Sequence, residues 1–213
     1  MARWSLFALA LGLTGCTAAP TPPSTEATPA ESPPPAPAPT PDSVDTATFW
    51  RLVDEARSAA GTDDDVFLDA LSARLDTLPT TAVADFEHEL NRALARAYRW
   101  DLWGAAYAIL GGCSDDGFEY FRAWLISQGE AVFKASVADP DSLAERLPLV
   151  GDAELELLLS VASDVYERKA GGFIPPRPAA EVPRTDMGEE WDFDDDSEMS
   201  RRLPKLTARL AES

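Results

Sequence analysis

The stretch Val83-Ala84-Asp85-Phe86-Glu87-His88-Glu89-Leu90-Asn91-Arg92-Ala93-Leu94-Ala95-Arg96-Ala97 decides the fold. Val83, Phe86, Leu90, Leu94 and Ala97 recur at helical spacing, so they share one side of an α-helix; a half-buried strand would need strict alternation. Glu87, Glu89, Arg92 and Arg96 fall outside that stripe, as a helix with one wet face requires. Pro79, just upstream, stands where a helix begins rather than continues.

The same pattern extends in both directions. Asp45 or Thr46 caps a first helix with the stripe Phe49, Leu52, Val53, Ala56 and Ala60, stopped at Gly61. Asp63, Asp64 and Asp65 suit the positive end of a second helix carrying Phe67, Leu68, Leu71, Leu75 and Leu78. Asp101 to Leu110 reads as a central helix, apolar on most sides and broken by Gly111-Gly112. A fifth helix is expected from Asp115 to about Gln128 and a short sixth from Glu130 to Ala138. A last one is expected within Asp152 to Lys169, on Leu155, Leu158, Leu159, Ala162 and Val165, ended by Gly171-Gly172. No segment alternates with period two and no internal repeat is visible. The expected fold is all-α: a single compact multi-helix domain over residues 46–172, then a Pro-rich, acidic tail over 173–213 with a short terminal helix on Met199, Leu203, Leu206 and Leu210.

The N-terminal side differs. Arg3 precedes an apolar run from Trp4 to Leu13, far shorter than the roughly 20 residues a membrane-spanning helix needs. The run closes on Leu13-Thr14-Gly15-Cys16, which resembles the signal peptide and lipobox of a bacterial lipoprotein. The resemblance implies removal of residues 1–15 and lipidation of Cys16 (diacylglycerol and a palmitate-type acyl chain). It also implies an extracytoplasmic address on a bacterial membrane, the outer one in a Gram-negative cell because Thr17 is not aspartate. Stable anchoring takes at least two acyl chains, which a diacylated cysteine supplies. From Thr17 to Asp45 the chain is almost entirely Pro, Ala, Thr, Ser and acidic residues, with Val44 its one large apolar side chain, and includes Pro33-Pro34-Pro35 and Ala36-Pro37-Ala38-Pro39. Such a segment lacks the apolar surface to offset its ordering entropy and is expected to be a disordered, extended linker.

Charge narrows the partners. The chain holds 37 acidic and 18 basic residues, a formal net charge of −19. That excludes nucleic acid as an expected partner and favours basic proteins or cations. With Cys16 lipidated, Cys113 is the sole remaining thiol, so no intrachain disulfide forms and stability rests on the core.

Chemical potential concentrates between Tyr98 and Trp124, a span with eight aromatics that contains the turn Gly111-Gly112-Cys113-Ser114-Asp115-Asp116-Gly117-Phe118. Trp100-Asp101-Leu102-Trp103, Ala105-Ala106-Tyr107, the glycine turn and Glu119-Tyr120-Phe121-Arg122-Ala123-Trp124-Leu125-Ile126 together resemble the bacterial family Domain of Unknown Function 4240. Phe49-Trp50-Arg51-Leu52-Val53-Asp54, Ala93 to Tyr98, and Arg201-Arg202-Leu203-Pro204-Lys205-Leu206 fit it too, so the resemblance spans about Thr46 to Leu210. It implies a helical domain and no established activity. Members are expected in the cytoplasm, and the lipid anchor departs from that.

Two readings of the central turn stand side by side. Cys113 with His88 forms a nucleophile and base, or Cys113 is a small buried residue before a helix. Asp115 and Asp116 bind a divalent cation with Asp101 or Glu119, or Ser114 or Asp115 caps the fifth helix, Glu119 supports its first turn and Arg122 pairs with Asp116 or Glu119. Trp50, Trp100 and Tyr120 are candidates for an aromatic surface that stacks on sugar rings or peptide side chains, against the core packing usual for such stripes. Asp192, Asp194 and Asp196 imitate the start of a calcium loop, but Ser197 and Leu203 stand where that loop needs glycine and glutamate. No catalytic residue, metal ligand or cofactor is assigned. The favoured expectation is an envelope lipoprotein whose helical domain binds or scaffolds a protein partner. The alternative is an enzyme or cation-dependent binder centred on the Gly-Gly-Cys-Ser-Asp-Asp turn.

Overall fold

In the computed structural model, four helix starts are closed by the side chain that precedes them. Asp45 accepts from Thr48 N, Asp63 from Val66 N, Ser114 from Gly117 N, and Asp195 from Ser197 N and Glu198 N. Each satisfies amides that a helix leaves without an internal partner. The structure describes residues 41–146, 153–176 and 186–212, all within one unit, Pro39–Ser213. Cys16, the signal peptide and nearly all of the Pro-rich linker lie outside the described residues, as do Pro148 and Asp152.

The helices are α1 (Thr46–Ala60), α2 (Asp64–Asp76), α3 (Thr80–Arg96), α4 (Trp100–Leu110), α5 (Asp115–Ser127), α6 (Glu130–Ala138), α7 (Val161–Ala170), α8 (Asp196–Arg202) and α9 (Pro204–Ala211). Short 3₁₀ segments cover Pro140–Arg146 and Glu156–Leu159, and no strand occurs among the described residues. The fold is all-α, as the periodicity requires. One core joins the stripes: Phe49 meets Phe86 at 4.9 Å between ring centroids, and Phe67, Leu71, Leu90, Phe118, Phe121, Leu125 and Ile126 are fully enclosed. Arg57 ties α1 to α2 and α5 by donating to Asp64 Oδ1 at 2.6 Å and to Ser127 O at 2.8 Å.

Two expected helices are divided. In the last expected helix of the domain, Leu155 N donates to the carbonyl of Tyr120 on α5 at 3.0 Å, so the backbone there follows α5. Only a 3₁₀ turn forms before α7 begins at Val161. The terminal helix becomes α8 and α9 because Pro204 has no N–H to continue the ladder. Pro204 instead opens α9, whose first-turn amides are met from outside the helix: the buried Asp141 carboxylate accepts from Lys205 N at 2.9 Å and Leu206 N at 2.8 Å. Asp141 belongs to the 3₁₀ segment after α6, so one side chain seats the C-terminal helix against the domain.

Candidate functional site

The central turn begins where α4 stops. Gly111 adopts φ +70°, a left-handed conformation that glycine accepts without penalty, and its N–H returns to Tyr107 O. The indole N–H of Trp103 donates to Cys113 O at 3.1 Å, holding the turn against α4. Ser114 Oγ then accepts from Gly117 N at 3.2 Å and α5 begins. Asp115 and Asp116 lie exposed in its first turn, where the helix dipole favours negative charge. Among the described residues no cluster of three or more His, Cys, Asp or Glu side chains is arranged to hold a metal ion.

Cys113 is half-buried, and its thiol donates to Ser114 O at 3.7 Å. Burial and the neighbouring Glu154 carboxylate push the thiol up to about 11, so it stays protonated at neutral pH. The Glu154 carboxylate also closes on α5, where a Cβ at Gly117 would meet its Oε1 at 3.2 Å. His88 stands on α3 and is not a hydrogen-bond partner of Cys113 among the described interactions.

Arg122 faces inward. Only 8 % exposed, it donates through Nη1 to Leu94 O at 2.9 Å and through Nε to Phe118 O at 3.3 Å. Its guanidinium lies over the Tyr98 ring at 4.8 Å and the Phe118 ring at 5.0 Å. The expected ion pair with Asp116 or Glu119 is replaced by carbonyl bonds and ring faces, because the α5 stripe carries this side chain into the core. Glu119 remains an electrostatic neighbour, not a bonded partner.

The three aromatic candidates separate. Trp50 is 2 % exposed and packs between Phe49 and Phe133, so it belongs to the core and not to a stacking surface. Tyr120 is partly exposed, its hydroxyl donating to Glu156 Oε1 at 3.2 Å. Trp100 is also partly exposed. Its ring stacks on Trp103 at 5.4 Å with the planes 8° apart, and its backbone N–H donates to Met187 O at 3.0 Å.

The acidic segment after residue 186 completes the surface around Trp100. Trp191 lies over α4 at Gly104, where an added Cβ would stand 2.2 Å from the indole. Phe193 lies edge-on to Trp191 at 4.8 Å and tilts against Trp100 at 5.9 Å and Tyr107 at 5.5 Å. The Tyr107 hydroxyl donates to Asp194 Oδ1 at 2.5 Å, which raises the tyrosine above its ordinary value. Arg202 covers the Trp191 ring at 5.2 Å and bonds Asp101, Glu189 and Glu198. Glu198, paired with Arg201 and Arg202, is held down to about 2. The result is an open hollow of about 550 Å³ lined by Trp100, Tyr107, Trp191 and Phe193 with Glu190, Asp192 and Asp194. Two members of the calcium-loop imitation are otherwise engaged, Asp192 Oδ1 accepting from Asp194 N at 3.0 Å and Asp194 bonding Tyr107, while Asp196 lies in the first turn of α8 behind its cap Asp195. A helix-interior glycine at 104 was the available signal for this docking, since mid-helix glycine often marks a close approach. The Asp141 cap on α9 left no signal in the sequence, because its partners are 64 and 65 residues away.

The fold therefore defines an all-α domain whose own C-terminal segment docks on its central helix. The chain belongs to the family described as "Protein of unknown function (DUF4240)", whose model matches residues 44–168. The docked segment lies beyond that match. No curated protein and no solved structure matches the chain.

Proposed function

We propose that the protein is a bacterial envelope lipoprotein, anchored through Cys16, whose helical domain binds a basic protein partner at the hollow formed by α4 and residues 190–194. The observation that carries the binding site is the juxtaposition of four aromatic rings with three carboxylates on a chain of net charge −19. Aromatic faces attract ammonium and guanidinium groups, and the carboxylates add complementary charge that speeds encounter and selects the partner's sign. The anchor rests on Leu13-Thr14-Gly15-Cys16 and the Pro-rich stretch after it; no helix among the described residues is long and apolar enough to cross a membrane. The alternative, an enzyme or cation-dependent binder centred on Cys113 to Asp116, draws no support from a serine engaged as a cap and a thiol held protonated.

The binding site is tested by in-cell photo-crosslinking from Trp100, with the exposed Val66 as control position. The expected result is one adduct from position 100 alone, mapping to a Lys- or Arg-rich surface, weakened by salt and lost in Phe193→Ala. Equal adducts from both positions, or an acidic partner surface, would sink the reading. The anchor is tested by labelling with an alkynyl fatty acid: Cys16→Ser should abolish label and release the chain from membranes, and retained label would remove the anchor.

A further inference from the structure

A second cleft, sharing no lining residue with the aromatic hollow, lies along α3. It has a volume of about 390 Å³, within the range of small-ligand sites, and is walled by Ala84, Ile174, Pro175 and Pro176. Its polar groups are Glu87, His88 and Asn91, all from adjoining positions on α3. Among the described residues, Glu87 Oε2 is buried and has no hydrogen-bond partner. The Asn91 side chain, one turn along α3, favours the charged form of this carboxyl but leaves Oε2 unpaired. Buried acceptors are almost always paired, and an orphan in a cleft asks what completes it. Removal from water raises Glu87 above the ordinary glutamate value.

We infer that this cleft takes a primary alkylammonium group, its charge on the Glu87 carboxylate and its carbon stem along Ala84 and the Ile174–Pro176 wall. An ammonium fits better than a guanidinium. A guanidinium binds carboxylate best through both oxygens at once, whereas the orphan here is Oε2 alone; an ammonium needs a single oxygen and carries three donors that turn freely. The Asn91 carbonyl and a ring nitrogen of His88 are the further acceptors the cleft supplies. The same chemistry comes from a free alkylamine or from a lysine side chain of a partner.

His88 is the chain's single histidine, so its ring protons give one assignable reporter inside the cleft. The full chain in detergent is titrated with n-pentylamine, n-pentylguanidine, n-pentanol, Nα-acetyl-lysine amide and its Nε-acetylated form. The expected result is a saturable shift of the His88 resonance with pentylamine, at least tenfold weaker for the guanidine and absent for pentanol. Glu87→Gln, near in shape and without charge, should lose at least tenfold in affinity, while Phe193→Ala keeps it. Response to acetyl-lysine amide but not to its acetylated form would assign a protein lysine as source; response to pentylamine alone would assign a free amine. No saturable His88 shift, or an unchanged affinity in Glu87→Gln whose circular dichroism matches wild type, would overturn the inference. Loss in Phe193→Ala alone would do the same, placing the amine in the aromatic hollow.

Discussion

The turn at residues 111–117 and the acidic segment at 186–195 exchange the roles their compositions suggest. The turn concentrates a thiol, a serine and two carboxylates, yet its serine caps α5 and its thiol is held up to about 11. The acidic segment reads as solvated charge, yet Trp191 and Phe193 fasten it to α4 and Asp195 starts a helix. Reactive residue types in a short run reveal little until their hydrogen bonds are known. Two aromatic side chains in a polar stretch reveal more, because each removes a large apolar area from water.

The largest test of that contrast is Trp191→Ala, expected to destabilise the domain by about 3–5 kcal/mol, as for other buried tryptophans. Gly104→Ala attacks the same contact from the other side; a clash with a rigid ring is expected to cost about 1–3 kcal/mol. Urea unfolding of both variants measures this, with limited proteolysis reporting release of residues 186–212. If Trp191→Ala unfolds like wild type, the segment is not part of the core.

Reactivity breaks the other half of the comparison. A rise from 9.0 to about 11 leaves Cys113 with roughly a hundredfold less thiolate at neutral pH than an unperturbed thiol. Alkylation of Cys113 by iodoacetamide in the folded Cys16→Ser chain should therefore be about a hundredfold slower than in the same chain unfolded by urea. Equal rates would return Cys113 to the list of nucleophiles.

Asp141→Ala removes the carboxylate that caps α9, leaving the Lys205 and Leu206 amides without it, and is expected to cost about 2 kcal/mol, the upper end for a cap. Amide exchange at Leu206 should rise with it. Ser114→Ala is expected to cost about 1 kcal/mol and to leave the rest of the chain's exchange pattern alone. The smallest effect belongs to Asp115→Asn with Asp116→Asn: about 0.5 kcal/mol or less, from the lost charge–dipole interaction at an exposed helix start. The thermal midpoints of this double variant and of wild type should not move with chelator, calcium, magnesium, manganese or zinc. A metal-dependent rise in wild type that the variant lacks would turn the cap into a cation site.

Most of the helices were legible because spacing alone orders their burial. Val83, Phe86, Leu90 and Leu94 are buried, and so are Phe49, Leu52, Val53 and Ala56, as their stripes require. The same rule extended less well to the chain around Leu155 and to the end, where a bond to Tyr120 O and a proline at position 204 broke up continuous helices. The candidate surface was partly legible. Trp100 and Tyr120 keep partial exposure, whereas Trp50, one position along the same helix from Phe49, turns into the core against Phe133.

The sequence by itself determined the all-α class, the placing of three helix starts within a residue or two of Asp45, Asp63 and Ser114, and the strong negative charge, because periodicity, capping and formal charge are properties of neighbouring residues or of composition. Only the tertiary structure decided that Arg122 is buried on carbonyls and ring faces, that Trp191 rests on Gly104, that Asp141 caps a helix 64 residues away, and that Glu87 keeps an oxygen unpaired in a cleft with residues 174–176. Each joins positions far apart in the chain, and what a side chain bonds there depends on which helix packs over it, which local spacing does not encode.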